Sequence, residues 1–313
     1  MLAIGIVGLN GKYVEQYLSV FRSLPDIKWY ICSNDTVILK REIELFSRVI
    51  PCDTLDELLA FPLDAAFVFE EPKNASRAVI RLLSQAIPVF MDIPATYHFD
   101  VVESLYRKSK ETNTLLMAGF RQRFSPKIQL LKQVKDKTRI TIEQNFIINN
   151  QPNKHVLYDS FLEAVDTALY LMDDLPLKGS YYYKKRQHVL EQCMIYMENK
   201  EQVATVTINL STGTRRECVQ VASSGGIYCL ENGVDLVIYQ GNSHVEERFS
   251  PEISPTYTLG IEQTIRAFLD AVVTKQNPIS AHSTLLSYSI CERIEHAKAS
   301  EGFLSFAVEH EFR

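Results

Sequence analysis

Met1-Leu2-Ala3-Ile4-Gly5-Ile6-Val7-Gly8-Leu9-Asn10-Gly11-Lys12-Tyr13-Val14-Glu15-Gln16-Tyr17-Leu18 decides the fold. Leu2 to Val7 is an apolar run of strand length, Gly8 to Gly11 a turn, and Lys12 onward a helical pattern. A buried strand, a glycine turn and then a helix is the opening of a doubly wound α/β fold, whose helix N-terminus cradles a dinucleotide pyrophosphate. Against the spacing G-x-G-x-x-G, Gly8 fits, Asn10 holds the second glycine position and Tyr13 the third. The second glycine lets backbone approach phosphate and the third lets helix pack close to strand. The fold signal is therefore intact while the phosphate signal is damaged.

The pattern continues to about residue 120. Apolar runs at 2–7, 27–32, 48–51, 65–69, 87–92 and 114–119 alternate with helical patterns at 12–23, 36–46, 54–60, 74–86 and 99–111. This alternation predicts βαβ units on a parallel sheet. Thr54 to Glu57 has capping-box spacing. Residues 121–132 read as a linking helix that begins near Ser125-Pro126.

From about 138 the strands alternate polar and apolar residues, as in Val203 to Leu210, and turns fall at Thr212-Gly213, Gly225-Gly226, Asn232-Gly233 and Gly241-Asn242. Asn-Gly between alternating runs predicts a hairpin. One amphipathic helix is expected near 159–172, and two closing helices near 258–274 and 282–299. The expected division is a Rossmann-type α/β domain over 1–120 and an α+β domain with a largely antiparallel open sheet over 121–313, the closing helices being candidates to pack back on the first domain.

Composition narrows the function classes. Hydrophobic residues make up 46% of the 313 and charged residues 23%, as in a globular protein. A net charge of −5 and a pI near 5.9 argue against a nucleic-acid partner. The longest apolar runs, such as Leu63 to Phe69, are too short to span a bilayer, and no leader pattern precedes the first strand. Cys32, Cys52, Cys193, Cys218, Cys229 and Cys291 show no metal-type spacing, so reduced thiols in a cytoplasmic protein are expected, with no metal site.

Several stretches, in order, resemble the Gfo/Idh/MocA family (glucose–fructose oxidoreductase and inositol dehydrogenase), and its MviM branch in particular. They are Leu63 to Asn74 with its strand and Pro-Asn turn, Pro88 to Ala95, Met117 to Pro126 at the domain junction, Asp159 to Asp166, and Ile265 to Ala271. The resemblance implies a nicotinamide cofactor, NAD or NADP, a sugar-like or cyclitol substrate, hydride transfer, and a homodimer or larger homo-oligomer formed through the open sheet. Tyr181-Tyr182-Tyr183 is a candidate contact there, with sheet-core packing as the equal alternative.

It also implies a catalytic lysine and histidine, and both positions are substituted. The lysine, which hydrogen-bonds the reacting hydroxyl, is Ile93, with no polar atom. The histidine is Glu163, which has three readings: a general base if desolvation raises its pKa, the capping-box partner of Ser160, or a solvated helix face. Asp159, Glu163, Asp166 and Tyr170 fall on one helical stripe opposite the apolar face; the three acids are the candidate catalytic groups. His155 is the nearby imidazole able to substitute, or else a solvated loop histidine.

The candidate cofactor contacts are Gly8, Asn10, Gly11 and Lys12 in the turn, Ser33 and Asn34 after the second strand, and Glu71 and Asp92 after the fourth and fifth. Ser33 stands where an acidic residue would bind ribose; Asp35 serves only if the register slips, or else Asn34-Asp35 is a turn. Topology places Glu70-Glu71 beside the glycine turn. One like charge ~6 Å from a phosphate costs about 3 kcal/mol at an effective dielectric of 20, a hundredfold in affinity. Lys12 either offsets this or is an exposed helix-end lysine. The sequence reading is thus an oxidoreductase-family protein with degenerate motifs that binds NAD(P) weakly or not at all, or another small polar molecule. The rivals are an active dehydrogenase using Glu163 or His155 and a non-enzymatic regulatory or scaffold protein.

Overall fold

The computed structural model describes residues 1–147, 155–187 and 189–306. They form two compact units, one of Met1–Phe120 with Ile261–Ala281, the other of Arg121–Gly260 with His282 onward.

In the first unit, β1 (Leu2–Val7), β2 (Ile27–Cys32), β3 (Val49–Cys52), β4 (Ala65–Val68), β5 (Val89–Met91) and β6 (Leu116–Ala118) form one parallel sheet in the order β3-β2-β1-β4-β5-β6. Helices Val14–Ser23, Thr36–Leu45, Leu55–Leu59, Pro72–Ser84 and Phe99–Glu111 connect them. The strands are apolar on both faces because helices cover both. The core is aromatic: the centre of the Phe21 ring lies 4.7 Å from that of Phe67 and 4.6 Å from that of Trp29 in tilted pairs, and Phe268, from the returning helix Ile261–Thr274, lies 4.9 Å from Phe67. Truncating such a buried ring typically costs about 3–5 kcal/mol.

Two local signals read from the sequence are realised. Thr54 accepts the Glu57 N–H at 3.2 Å as the cap of Leu55–Leu59, while Glu57 reaches back to the N–H of Asp53 at 2.8 Å. Asn232 and Gly233 turn the chain with φ of +49° and +73°, the left-handed pair that a hairpin of native twist requires.

The second unit carries a nine-stranded sheet of β7 (Lys137–Ile147), β8 (Lys178–Arg186), β9 (Val189–Glu198), β10 (Val203–Thr212), β11 (Arg216–Ser223), β12 (Gly226–Glu231), β13 (Asp235–Gln240), β14 (Ser243–Glu247) and β15 (Glu301–Leu304). Their order is β14-β13-β12-β11-β7-β10-β9-β8-β15; β7 and β10 pair parallel and the other neighbours antiparallel. The terminal strand β15 was not anticipated from the sequence. The helix Leu162–Leu171 packs on β7 and β10, covering Ile140, Ile142, Ala204 and Val206, all buried.

The expected linking helix is broken into a 3₁₀ turn, Arg121–Phe124, and a helix, Pro126–Gln133. Proline at the first helical position explains the break, since it has no N–H to continue the preceding turn. The expected helix near 159–172 opens as a π turn, Leu157–Phe161, that runs directly into Leu162–Leu171.

Candidate functional site

The first unit brings the glycine turn against the ends of β4 and β5. Gly8 donates to Cys32 O at 2.8 Å, and the N–H of Asn10 is taken by Phe69 O at 2.9 Å. Gly8 has φ +79°, so only glycine fits without strain. A Cβ on Gly8 would lie 2.7 Å from Glu70 Cγ and 2.8 Å from its Cδ, and one on Gly11 would lie 2.7 Å from Asp92 Oδ2. The bare faces of both glycines, which in a phosphate cradle admit the ligand, are thus covered by two carboxyl groups of the chain itself.

Of the adjacent glutamates it is Glu70, not the cofactor candidate Glu71, that reaches the turn. Glu71 precedes Pro72–Ser84 as its cap residue, is exposed, and pairs with Lys73 at 2.9 Å. Burial pushes the Glu70 carboxyl above its ordinary range, against the opposing hydrogen bonds from Asn74 and the Glu71 backbone. The end of β2 is acidic as well: burial, then Glu70, Glu57 and Asp53, push the Cys32 thiol up to about 11.

The other cofactor candidates are dispersed. Lys12 is exposed and lies over the Tyr13 ring at 5.4 Å. Ser33 is buried and accepts the Asp35 N–H at 3.1 Å, and Asn34 is exposed. Asp35 caps Thr36–Leu45, accepting the N–H groups of Val37 and Ile38 at 3.1 and 2.9 Å, so its carboxylate serves the helix and the turn reading holds. Ile93 follows Asp92 and offers no hydrogen-bonding side chain. As they stand, these residues do not fit a pyrophosphate.

The second unit gathers the catalytic candidates differently from the expected stripe. Asp166 is fully buried and receives Arg123 Nε at 2.7 Å and Nη2 at 2.6 Å, with Ser287 Oγ at 3.2 Å. Arg123 also donates to Ser283 and lies 5.2 Å from the centre of the Tyr170 ring. This is a bidentate structural pair, and it sets Asp166 in the core rather than on a stripe opposite the apolar face. Two charges are tolerated there because the guanidinium fork matches the carboxylate.

The capping-box reading of Glu163 fails too. The π turn continues into the helix, so Ser160 is not at a helix start and makes no cap. Glu163 Oε2 instead accepts Arg121 Nη2 at 3.2 Å, while Arg121 Nη1 donates to Leu259 O at 3.2 Å. Glu163 Oε1 is buried without a hydrogen-bond donor among the described residues. Asp159 sits half-buried in the π turn. His155 Nδ1 lies 3.7 Å from Glu295 Oε1.

Residues that the sequence reading did not single out complete this cluster. Gln122 Nε2 donates to Glu217 Oε1 at 3.1 Å, and Gln144 Nε2 to Glu217 Oε2 at 2.8 Å. Thr167 donates to Gln122 Oε1 at 2.8 Å. Burial, with Glu163 adding its charge, pushes the Glu217 carboxyl up against the hydrogen bond from Gln144. The available signal was the pair Arg121 and Arg123 flanking Gln122 in the junction stretch; the structure buries all three. No group of three or more metal-ligating side chains occurs among the described residues, and no helix there is long and apolar enough to cross a membrane.

Comparison with known proteins agrees with this architecture. The putative oxidoreductase YceM of Salmonella typhimurium is 25% identical over 234 residues, 72% of this chain and 75% of that protein. A dehydrogenase (MviM) from Clostridium difficile superposes with a TM-score of 0.87 at 20% identity, over 94% of this chain and 98% of that one. A Gfo/Idh/MocA family oxidoreductase from Vibrio cholerae gives 0.84 at 17% identity over the same shares. No protein-family model matches the chain.

Proposed function

We propose that this chain, which has the fold of the Gfo/Idh/MocA oxidoreductases, has lost efficient hydride transfer and acts by binding a small polar molecule. The observation that carries this reading is the placement of the Glu70 and Asp92 side chains on Gly8 and Gly11. A pyrophosphate brought to that turn meets two acidic groups within a few ångströms and finds the N–H of Asn10 already bonded. NAD or NADP binding is then weak or absent. Ile93 supports the same reading, because isoleucine neither donates to a reacting hydroxyl nor tunes a base.

One observation favours an active dehydrogenase instead. Glu163 Oε1 is buried without a donor, which suits a group that accepts a proton from substrate. Against it, the other oxygen is already held by Arg121 at 3.2 Å.

In this proposal the chain works in the cytoplasm with reduced thiols and as a homo-oligomer. The open sheet face supports the latter: Phe303 is 94% exposed, and with Tyr182 and Met194 it lines a cavity of about 550 Å³.

The test uses Trp29, the single tryptophan, buried on β2 against Phe21 and Phe46. Bound NADH or NADPH quenches its emission by energy transfer. The proposal expects no saturation below millimolar cofactor, and no reduction of NAD⁺ or NADP⁺ with sugars or cyclitols. Micromolar saturation together with sugar-dependent reduction that Glu163→Gln abolishes would establish the active reading in its place.

A further inference from the structure

Among the described residues, the cluster under the helix Leu162–Leu171 brings together the carboxyls of Glu163, Asp166 and Glu217 and the guanidiniums of Arg121 and Arg123, one more carboxyl than cation. Gln144 and Glu217 are register partners on β7 and β11, on the sheet face that this helix covers. Glu217 is held by the neutral amides of Gln122 and Gln144, and Arg121 is engaged by Glu163. Arg123 is matched by Asp166.

Two acceptor oxygens lack a donor among the described residues, Glu163 Oε1 and Gln144 Oε1. Gln144 is only 6% exposed. With Glu217 ionised, as it is when it serves as a counter-ion, the amide cannot be flipped to cure this, because its Nε2 must face Glu217; the opposite orientation would set oxygen against oxygen. Buried acceptors without donors are costly and rare, so a group that supplies N–H bonds is wanted here.

We propose that this cluster binds the protonated primary amine of a small polar ligand, with Glu217 as its counter-ion and Gln144 and Glu163 as further acceptors. An ammonium carries three donors, one positive charge and no acceptor, which matches both deficits at once. A hydroxyl supplies one donor and leaves the charge unmatched. A metal ion is not favoured, because no set of three ligating side chains is assembled among the described residues.

The inference rests on the reading of the chain as a binder of a small polar molecule and names the chemistry of that molecule. Isothermal titration calorimetry of the full chain in amine-free buffer at pH 7.5 compares three probes: glucosamine, glucose and N-acetylglucosamine. Glucosamine is expected to bind at least tenfold more tightly than the other two, and Glu217→Gln to remove that advantage while circular dichroism stays unchanged. Equal affinities, or binding of none of the three, would overturn the inference, as would a Glu217→Gln protein that keeps the preference. The wild-type comparison decides even if the variant does not fold. The Trp29 and turnover assays read the broader proposal separately: sugar-dependent reduction of cofactor overturns that proposal whatever the amine does, and loss of amine preference without turnover overturns the inference alone.

Discussion

Replacing Glu70 by glutamine isolates the charge on the glycine turn. Glutamine keeps the length of the side chain and an oxygen able to accept from Asn74 and the Glu71 backbone, the two hydrogen bonds that hold Glu70. Its Cγ and Cδ take the same place over Gly8 as those of glutamate. What changes is one unit of negative charge. For a phosphate about 6 Å away at an effective dielectric of 20, that charge is worth about 3 kcal/mol, or roughly a hundredfold in dissociation constant. Glu70→Gln should therefore bring NADH binding, followed by Trp29 quenching, from beyond millimolar to the tens of micromolar. Asp92→Asn should act in the same direction, and the double variant should gain less than the product because both groups face one turn. The pH dependence gives an internal control. Burial raises the Glu70 carboxyl above its ordinary range, and the protonated form does not repel phosphate. Wild-type affinity for NADH should therefore rise as pH falls toward that raised value, and the slope should be smaller in Glu70→Gln. A glutamine variant within threefold of wild type at pH 7.5, with an unchanged slope, would refute the electrostatic account of the turn.

Three further outcomes are expected. Arg123→Met strands the buried Asp166 carboxylate and should cost about 3–5 kcal/mol in urea unfolding; a loss under 1 kcal/mol would mean that the pair is not structural. Glu217 has its folded-state pKa raised by burial, so the native state holds a proton that the unfolded state releases. Stability should then fall as pH rises from about 4.3, the unfolded value, through the raised folded value, and Glu217→Gln should flatten that slope in pH-dependent thermal melts. Phe303→Glu, placing a charge on the most exposed large apolar side chain of the open sheet, should shift the protein toward monomer in sedimentation velocity with little change in melting temperature; an unaltered oligomer would place the interface elsewhere.

The fold could be read in the sequence because its signals are periodic and local. An apolar run of strand length, a glycine turn and a helical stripe repeat through the first 120 residues, and each constrains backbone that lies nearby in the chain. Thr54 with Glu57, and Asn232 with Gly233, were legible for the same reason. That Ile93 brings no hydrogen-bonding side chain was legible too, since it follows from the residue's identity alone. Partner choice was not legible. Glu70 and Glu71 are identical residues one position apart, and strand alternation guarantees that they diverge without saying which one meets Gly8; the helix start at Pro72 decides it by leaving Glu71 outside. Glu163 and Ser160 satisfy the spacing of a capping box, but spacing presupposes that a helix begins at Ser160. The π turn Leu157–Phe161 carries the helix past that point, and Glu163 becomes free to meet Arg121, 42 residues away. Asp166 shows the same limit with the opposite sign. On a helical wheel it shares a polar stripe with Glu163, yet a buried guanidinium from the preceding 3₁₀ turn converts its face into core. Polar residues on one stripe report a face that needs hydrogen bonds. Whether water, a cation of the chain or a ligand supplies them depends on elements that meet only after folding, and in this cluster Gln144 and Glu163 are left with acceptors that no described residue fills.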